Sequence, residues 1–328
     1  MQASSEKAFT AIVAQYIEEK RAMGFKFGKA AQILRTICLL QEETDKGMPV
    51  LSKELFERWA QQTSWETQGN RTNRISVLRG LSDYMIRMGY TAVPIPVRYA
   101  PCKEYGYTPY IFSDEQLGAI LHAVDESCSK ESVSQLEKNL PLIFRLLIGC
   151  GLRATETLNI RKGDVNVEEM TILLRKTKNM KERIIPIAAS LNEHLRIHLE
   201  RTAMIPGYSD SGLLFQNGLG KPHSSDRLYW KFREYLWKAG IPHRGRGKGP
   251  RLHDLRHTYA VRIMNKWVRD GHNLTTSLPY LAIYMGHSGL KASQHYLRMV
   301  SQMYPHLLGM VDDCYGWVIP EVQHEEQQ

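Results

Sequence analysis

Residues 171–187 read Thr-Ile-Leu-Leu-Arg-Lys-Thr-Lys-Asn-Met-Lys-Glu-Arg-Ile-Ile-Pro-Ile. Two short β-rich segments, 172–174 and 183–187, flank a polar tip carrying Lys176, Lys178 and Lys181, the pattern of a β-hairpin. The segments around it read as helix, so the stretch sets the class: a mainly α chain with one small antiparallel hairpin or sheet. Downstream, apolar spacing predicts helices over residues 191–201, 226–239, 254–267, 277–285 and 291–303. Upstream, residues 136–149 and 154–160 read the same way. Ser113 followed by Asp114 and Glu115 makes an N-cap with acidic first-turn residues. In the helix at 226–239 the aromatic residues Trp230, Phe232, Tyr235 and Trp237 are expected to be core rather than stacking platforms.

A second helical body precedes this one. In residues 7–23, Phe9, Ile12, Val13, Tyr16 and Ile17 recur at the spacing of one helix face. Residues 29–44 repeat the pattern, and Ser52 reads as the N-cap of a helix at 53–62. In a fourth helix, 70–88, Val77, Leu78, Leu81, Tyr84, Met85 and Met88 are expected to face inward. Arg71, Arg74, Arg79 and Arg87 fall on its other faces, as a small DNA-binding bundle or a merely solvated surface would have them. Between residues 91 and 110 the pattern stops, and Pro94, Pro96, Pro101 and Pro109 block helix continuation. The expected organisation is a helical domain at 1–100, a linker at 101–110 and a second domain at 111–328.

The 328 residues carry 43 Lys and Arg against 34 Asp and Glu, a net charge of +9, with a pI near 9.2. The excess is spread as +4 over residues 1–110 and +5 over the remainder, so both domains are mildly basic and a polyanion, nucleic acid first, is the expected partner. The five cysteines include no C-x-x-C pair. That argues against a disulfide framework or a cysteine zinc site and suits a reducing cytosol. The N-terminus shows no signal-peptide pattern, and no stretch has the roughly 18 apolar residues of a membrane helix; a cytoplasmic location and no membrane partner are expected.

The chemistry lies in an ordered set. Gly149-Cys-Gly-Leu-Arg153-Ala-Thr-Glu156 sets an arginine at a helix start. The lysine-bearing hairpin tip follows, and His253-Asp-Leu-Arg256-His257 puts His and Arg on one helix face. Then come Gly286-His287 and Tyr296, the latter in Gln-His-Tyr-Leu-Arg. Forked guanidinium donors suit the negative charge that grows on a phosphodiester in its transition state. A lysine on a mobile hairpin suits a general acid. His253 with His257 gives H-x-x-x-H, but Asp254 stands where a metalloprotease helix carries Glu, so no metal is expected and His257 is read as a supporting hydrogen-bonding residue.

This order and spacing, across about residues 111–298, resembles the tyrosine recombinases of the phage-integrase family. The leading helices resemble that family's core-binding domain in general character. The resemblance implies that Arg153, Lys178, His253, Arg256, His287 and Tyr296 are catalytic, with Glu156 steadying the site. Tyr296 would form a 3′-phosphotyrosine and release a 5′-hydroxyl, without metal, nucleotide or other cofactor. The eight residues from Lys178 to Pro186 match the family's hairpin, while Thr177-Lys178-Asn179 departs from the common Gly-Lys-Gly tip; Lys176 and Lys181 stay as alternates. The implied partners are double-stranded DNA with paired recombination sites, further copies of the chain in a synaptic tetramer, and accessory DNA-bending proteins. A nucleoid-associated bacterial setting is implied as well.

The surroundings of the hairpin tip and of Tyr296 differ from an Xer-type pattern, favouring integration, excision or transposition of a mobile element over chromosome or plasmid resolution. A DNA-binding regulator that keeps the fold without strand transfer is the rival from another class. The loop at 242–251 alternates glycines with Arg244, Arg246, Lys248 and Arg251, as a DNA-backbone contact would. The apolar segment at 304–328 either caps its own domain or is exchanged between subunits.

Overall fold

In the computed structural model, residues 8–97, 99, 108–128, 134–175, 182–204, 212–243, 245 and 249–287 are described. The chain divides into two compact units, Met1–Tyr107 and Thr108–Gln328.

Unit 1 is built from α1 (Phe9–Ala22), α2 (Gly28–Asp45), α3 (Lys53–Ala60) and α4 (Gln68–Arg87). Their apolar faces meet in one core containing Phe9, Ile12, Leu34, Ile37, Leu55, Ile75, Leu78 and Leu81; Met88, expected inward, is instead 54% exposed, because α4 ends at Arg87 and Met88 is its C-cap, beyond the last helical residue. Ser52 caps α3 by accepting the Leu55 N–H at 3.0 Å, as its place in the sequence predicts. The proline-bearing exit begins in a way periodicity does not show. β2 (Thr91–Ala92) pairs in parallel with β1 (Val50–Leu51), and the carbonyls that follow are taken up by α4. Ser82 Oγ donates to Val93 O at 2.6 Å, while Arg79 donates to Ile95 O, Pro96 O and Val97 O at 3.1, 2.8 and 3.0 Å. Prolines withhold backbone donors, and the carbonyls of this segment are satisfied by side-chain donors from α4 instead.

Unit 2 contains α5 (Asp114–Cys128), α6 (Gln135–Cys150), α7 (Ala154–Leu158), α8 (Ala189–Ala203), α9 (Ser225–Lys238), α10 (Asp254–Arg269) and α11 (Leu274–Met285). The hairpin is present as β4 (Thr171–Leu174) against β5 (Arg183–Pro186), with Leu174 opposite Arg183. A short β3 (Val165–Asn166) extends it to an antiparallel sheet ordered β3-β4-β5. Pro186, which lacks a donor, sits on the edge strand. α11 begins three residues before its sequence-expected start, because Asn273 caps it through the Thr275 N–H at 2.8 Å. The helix expected at 291–303 lies outside the described residues.

α6 is central and packs against α5, α7, α8 and α10. Its capping box pairs Ser134 with Glu137. Pro141 inside the helix withholds the N–H that Glu137 O would accept, and Cys128 Sγ donates there instead at 2.8 Å. Of the four aromatic residues expected in the core from α9, Phe232 and Tyr235 are buried, but Trp230 and Trp237 are 63% and 78% exposed. A helix buries only one stripe, and at 3.6 residues per turn Trp230 and Trp237, seven apart, share the face opposite the core. Replacing Ser134 by Ala should cost about 1 kcal/mol through loss of the cap, read as a lower urea midpoint; an unchanged midpoint would contradict the assigned role of the box.

Candidate active site

α6 ends at Gly151, which has φ +59°. A Cβ there would stand 2.5 Å from Tyr259 Cδ1, so both the left-handed turn and the close approach require glycine. The chain then delivers Arg153 to the start of α7. The Arg153 N–H donates to Glu156 Oε2 at 3.1 Å, and its guanidinium donates to Glu156 Oε1 at 2.6 Å and to Gly286 O at 3.0 Å. From α10, Arg256 is 2% exposed and donates to Gly151 O at 2.8 Å and to Met285 O. Its Nη1 lies 3.9 Å from Glu156 Oε2.

A third arginine joins from β5. Arg183 forks onto both carboxylate oxygens of Glu156, at 3.1 and 2.9 Å, and its Nε donates to Tyr284 O at 2.8 Å. Gly286 closes α11 with φ +63°, and a Cβ on it would stand 2.7 Å from Arg183 Nη1. The sequence pattern alone does not single out Arg183. A signal is nevertheless there: it shares the inward face of β5 with the buried Ile185, two residues on, and an arginine on a core-facing strand position needs a buried acceptor.

Burial pushes the Glu156 carboxyl up, but the hydrogen bonds and charge of Arg183, with the bonds from the Arg153 backbone and side chain, overcome it and hold the group at about 2. Glu156 is therefore a fixed anion. His287 follows Gly286 directly. Its burial, then the positive charges of Arg256 and Arg153, with His253 and Arg183, push its imidazole down to about 4. At neutral pH it is an uncharged ring with one donor and one acceptor nitrogen.

The structure thus brings together Arg153, Glu156, Arg256 and His287 and places His253 within electrostatic reach of His287. His253 immediately precedes α10, and its ring stands perpendicular to that of His257 with centroids 4.8 Å apart. The Arg251 N–H donates to Asp254 Oδ2 at 2.8 Å. Lys178 with its alternates Lys176 and Lys181, Tyr296, and the loop residues Arg244, Arg246 and Lys248 lie outside the described residues. Arg71 and Arg74 belong to unit 1. The Arg71 guanidinium donates to Ala60 O at 2.7 Å; Arg74 forks onto Glu66 at 2.7 and 2.8 Å and stacks over Trp59. Among the described residues no group of three or more His, Cys, Asp or Glu side chains is gathered to hold a metal, and no helix is long and apolar enough to cross a membrane.

A profile of the phage integrase family matches residues 111–302. The chain belongs to that family. The family's known activity is enzymatic cleavage and rejoining of DNA in site-specific recombination. "Putative integrase/recombinase y4rB" of Sinorhizobium fredii is 28% identical over 292 residues, covering 88% of this chain and 92% of that relative. Two solved structures share the fold. One is the XerH site-specific recombinase bound to palindromic difH substrate, with a TM-score of 0.65 and 17% identity over 97% of this chain and 99% of that one. The other is the Tn1549 transposon integrase in complex with transposon right end DNA, with a TM-score of 0.60 and 15% identity over 91% and 99%.

The electrostatics of this integrase-family site make a direct prediction. In free protein, the His287 ring should titrate near pH 4, read by histidine NMR, while an unfolded chain titrates near 6.5. A lowered histidine pKa stabilises the fold fully above the unfolded value, and that contribution is lost as pH falls from 6.5 through 4. A midpoint near 6.5 in the folded chain would contradict the burial of His287 beside Arg256 and Arg153.

Proposed function

We propose that this chain cuts and rejoins duplex DNA at paired sites through Tyr296, serving the integration, excision or transposition of a mobile element. The observation that carries this reading is the convergence of Arg153, Arg256 and His287 around Glu156 in a chain of the phage integrase family. Arg153 and Arg256 meet the non-bridging oxygens of the scissile phosphate. Tyr296 Oη attacks phosphorus and gives up its proton to a neighbouring histidine or to water, an O–P bond forms, the bond to the 5′-oxygen breaks, and Lys178 protonates the departing oxygen. Tyr296 and Lys178 take these parts from their place in the motif order. His253 and the neutral His287 assist by proton transfer or by hydrogen-bonding the phosphate. The bond energy stays in the phosphotyrosine, so a second 5′-hydroxyl can reverse the step with a new partner strand.

Duplex DNA as substrate is supported by the DNA-bound states of the XerH and Tn1549 structures. Assembly of four copies on two sites, with accessory DNA-bending proteins, extends the same reading. The mobile-element role is supported by the near full-length match to an integrase/recombinase, by the transposon-integrase fold and by the hairpin tip that departs from the Xer pattern. A cytoplasmic, nucleoid-associated setting follows from the substrate.

Incubation with a cognate site in the absence of added metal should give a covalent protein–DNA adduct that survives denaturation, and Tyr296→Phe should abolish it while leaving DNA binding in place. A chain that binds its site without forming the adduct would instead be a regulator that has kept the fold. Neutralising Arg244, Arg246, Lys248 and Arg251 together should flatten the dependence of log K on log salt, by about 0.9 for each DNA phosphate that the loop no longer neutralises; an unchanged slope would remove the loop from the interface.

A further inference from the structure

We propose that Arg183 is a positioning residue for strand cleavage: it fixes Glu156, and through Glu156 the aim of Arg153, while tying the hairpin's return strand to the turn that carries His287. The inference rests on the recombinase reading above and adds a residue to its machinery.

Four contacts carry it. Two are the paired bonds to the Glu156 carboxylate oxygens at 3.1 and 2.9 Å. A third is the Nε bond to Tyr284 O at 2.8 Å. The fourth is the approach of the guanidinium to Gly286, where even a methyl group would stand 2.7 Å from Nη1. Arg183 therefore touches the segment bearing Glu156 and the turn before His287 at once, from a strand that begins only five residues after Lys178. The side chain is 9% exposed, and each of its three nitrogens has an acceptor within the protein. Its planar fork satisfies both Glu156 oxygens while Nε reaches a third acceptor, which a lysine ammonium cannot do with the same geometry.

The division of labour around Glu156 follows. Oε1 accepts from both Arg153 and Arg183, and Oε2 accepts from the Arg153 backbone and Arg183. With Arg183 in place, the carboxylate cannot rotate without breaking two charge-assisted bonds, so Arg153 is held against a fixed plane. Without Arg183, Glu156 is left with Arg153 and the more distant Arg256. The carboxylate can then turn, and the Arg153 guanidinium turns with it. A misplacement of about 1 Å in such a group can cost roughly a hundredfold in rate.

The test uses full-length chain, a cognate duplex and single-turnover adduct formation, with DNA affinity measured in parallel. Arg183→Lys keeps the charge and should slow adduct formation by about ten- to a hundredfold, with affinity within about twofold of wild type. Arg183→Gln should do the same more severely, and circular dichroism with a thermal melt shows whether each variant is folded. Glu156→Gln supplies the second arm. If Arg183 acts through Glu156, Arg183→Lys adds little to the loss already present in Glu156→Gln. A folded Arg183→Lys that cleaves at the wild-type rate overturns the inference, and so do losses that multiply fully in the double variant. A loss of affinity equal to the loss of rate also overturns it. A wild-type chain that forms no adduct counts against the recombinase reading and this inference together, whereas a cleaving wild type with an indifferent Arg183→Lys counts against Arg183 alone.

Discussion

Glu156 is the interaction on which the rest of unit 2's site depends. Its side chain is 4% exposed and the carboxylate would be costly to bury alone, yet it stands among Arg153, Arg183 and Arg256. The dependence runs both ways. Three guanidinium groups drawn this close in a poorly hydrated setting repel one another, and the shared anion makes their gathering possible. Removing one partner of a buried pair costs about 3–5 kcal/mol, so the motifs meeting here are held as a set rather than as independent contributors.

The backbone completes what one carboxylate cannot. The last carbonyls of a helix have no partner within it and carry the negative end of its dipole. α6 and α11 both present such ends to the arginines: Gly151 O and Met285 O accept from Arg256, Tyr284 O from Arg183 and Gly286 O from Arg153. The positive cluster is thus matched by a buried anion and by two helix C-termini. Gly151 and Gly286 are the residues where those helices stop, and both positions are closed to a Cβ by the groups they seat, Tyr259 and Arg183. The glycines noted in the sequence beside Arg153 and His287 therefore have a packing reason, since each brings a carbonyl and an arginine to bonding distance.

Much of this was legible in one sequence because it is written in local pattern. Helix periodicity and cap residues located α1 to α11, and the Thr171–Leu174 and Arg183–Pro186 pair announced itself by β-branched residues around a polar tip. Motif order gave Arg153, Glu156, Arg256 and His287. What local pattern could not give was the destination of long polar side chains. The arginines of α4 read as outward, yet Arg71, Arg74 and Arg79 fold onto carbonyls of their own unit, an option no spacing reveals. Trp230 and Trp237 read as core by hydrophobicity and lie outside, because packing chose one stripe of α9. Arg183 was hidden for the converse reason: a lone charge in a strand reads as solvent-facing until its register against Leu174 is known.

The buried hub and the dispersed surface charge answer to different physics. Exposed cations contribute to DNA affinity through counterion release and are screened by salt over about 8 Å at physiological strength. The groups around Glu156 lie out of bulk water and are screened far less. Three guanidinium groups against one carboxylate leave a surplus of two positive charges there, and burial keeps His287 from adding a third. A phosphodiester brings one negative charge, and the pentacoordinate state of its cleavage brings a second. The surplus matches the second state better than the first, and differential binding of that kind lowers a barrier rather than strengthening ground-state association. Under the proposed chemistry, salt should therefore govern how often the chain holds DNA, while the geometry fixed at Glu156 governs how fast it cuts what it holds.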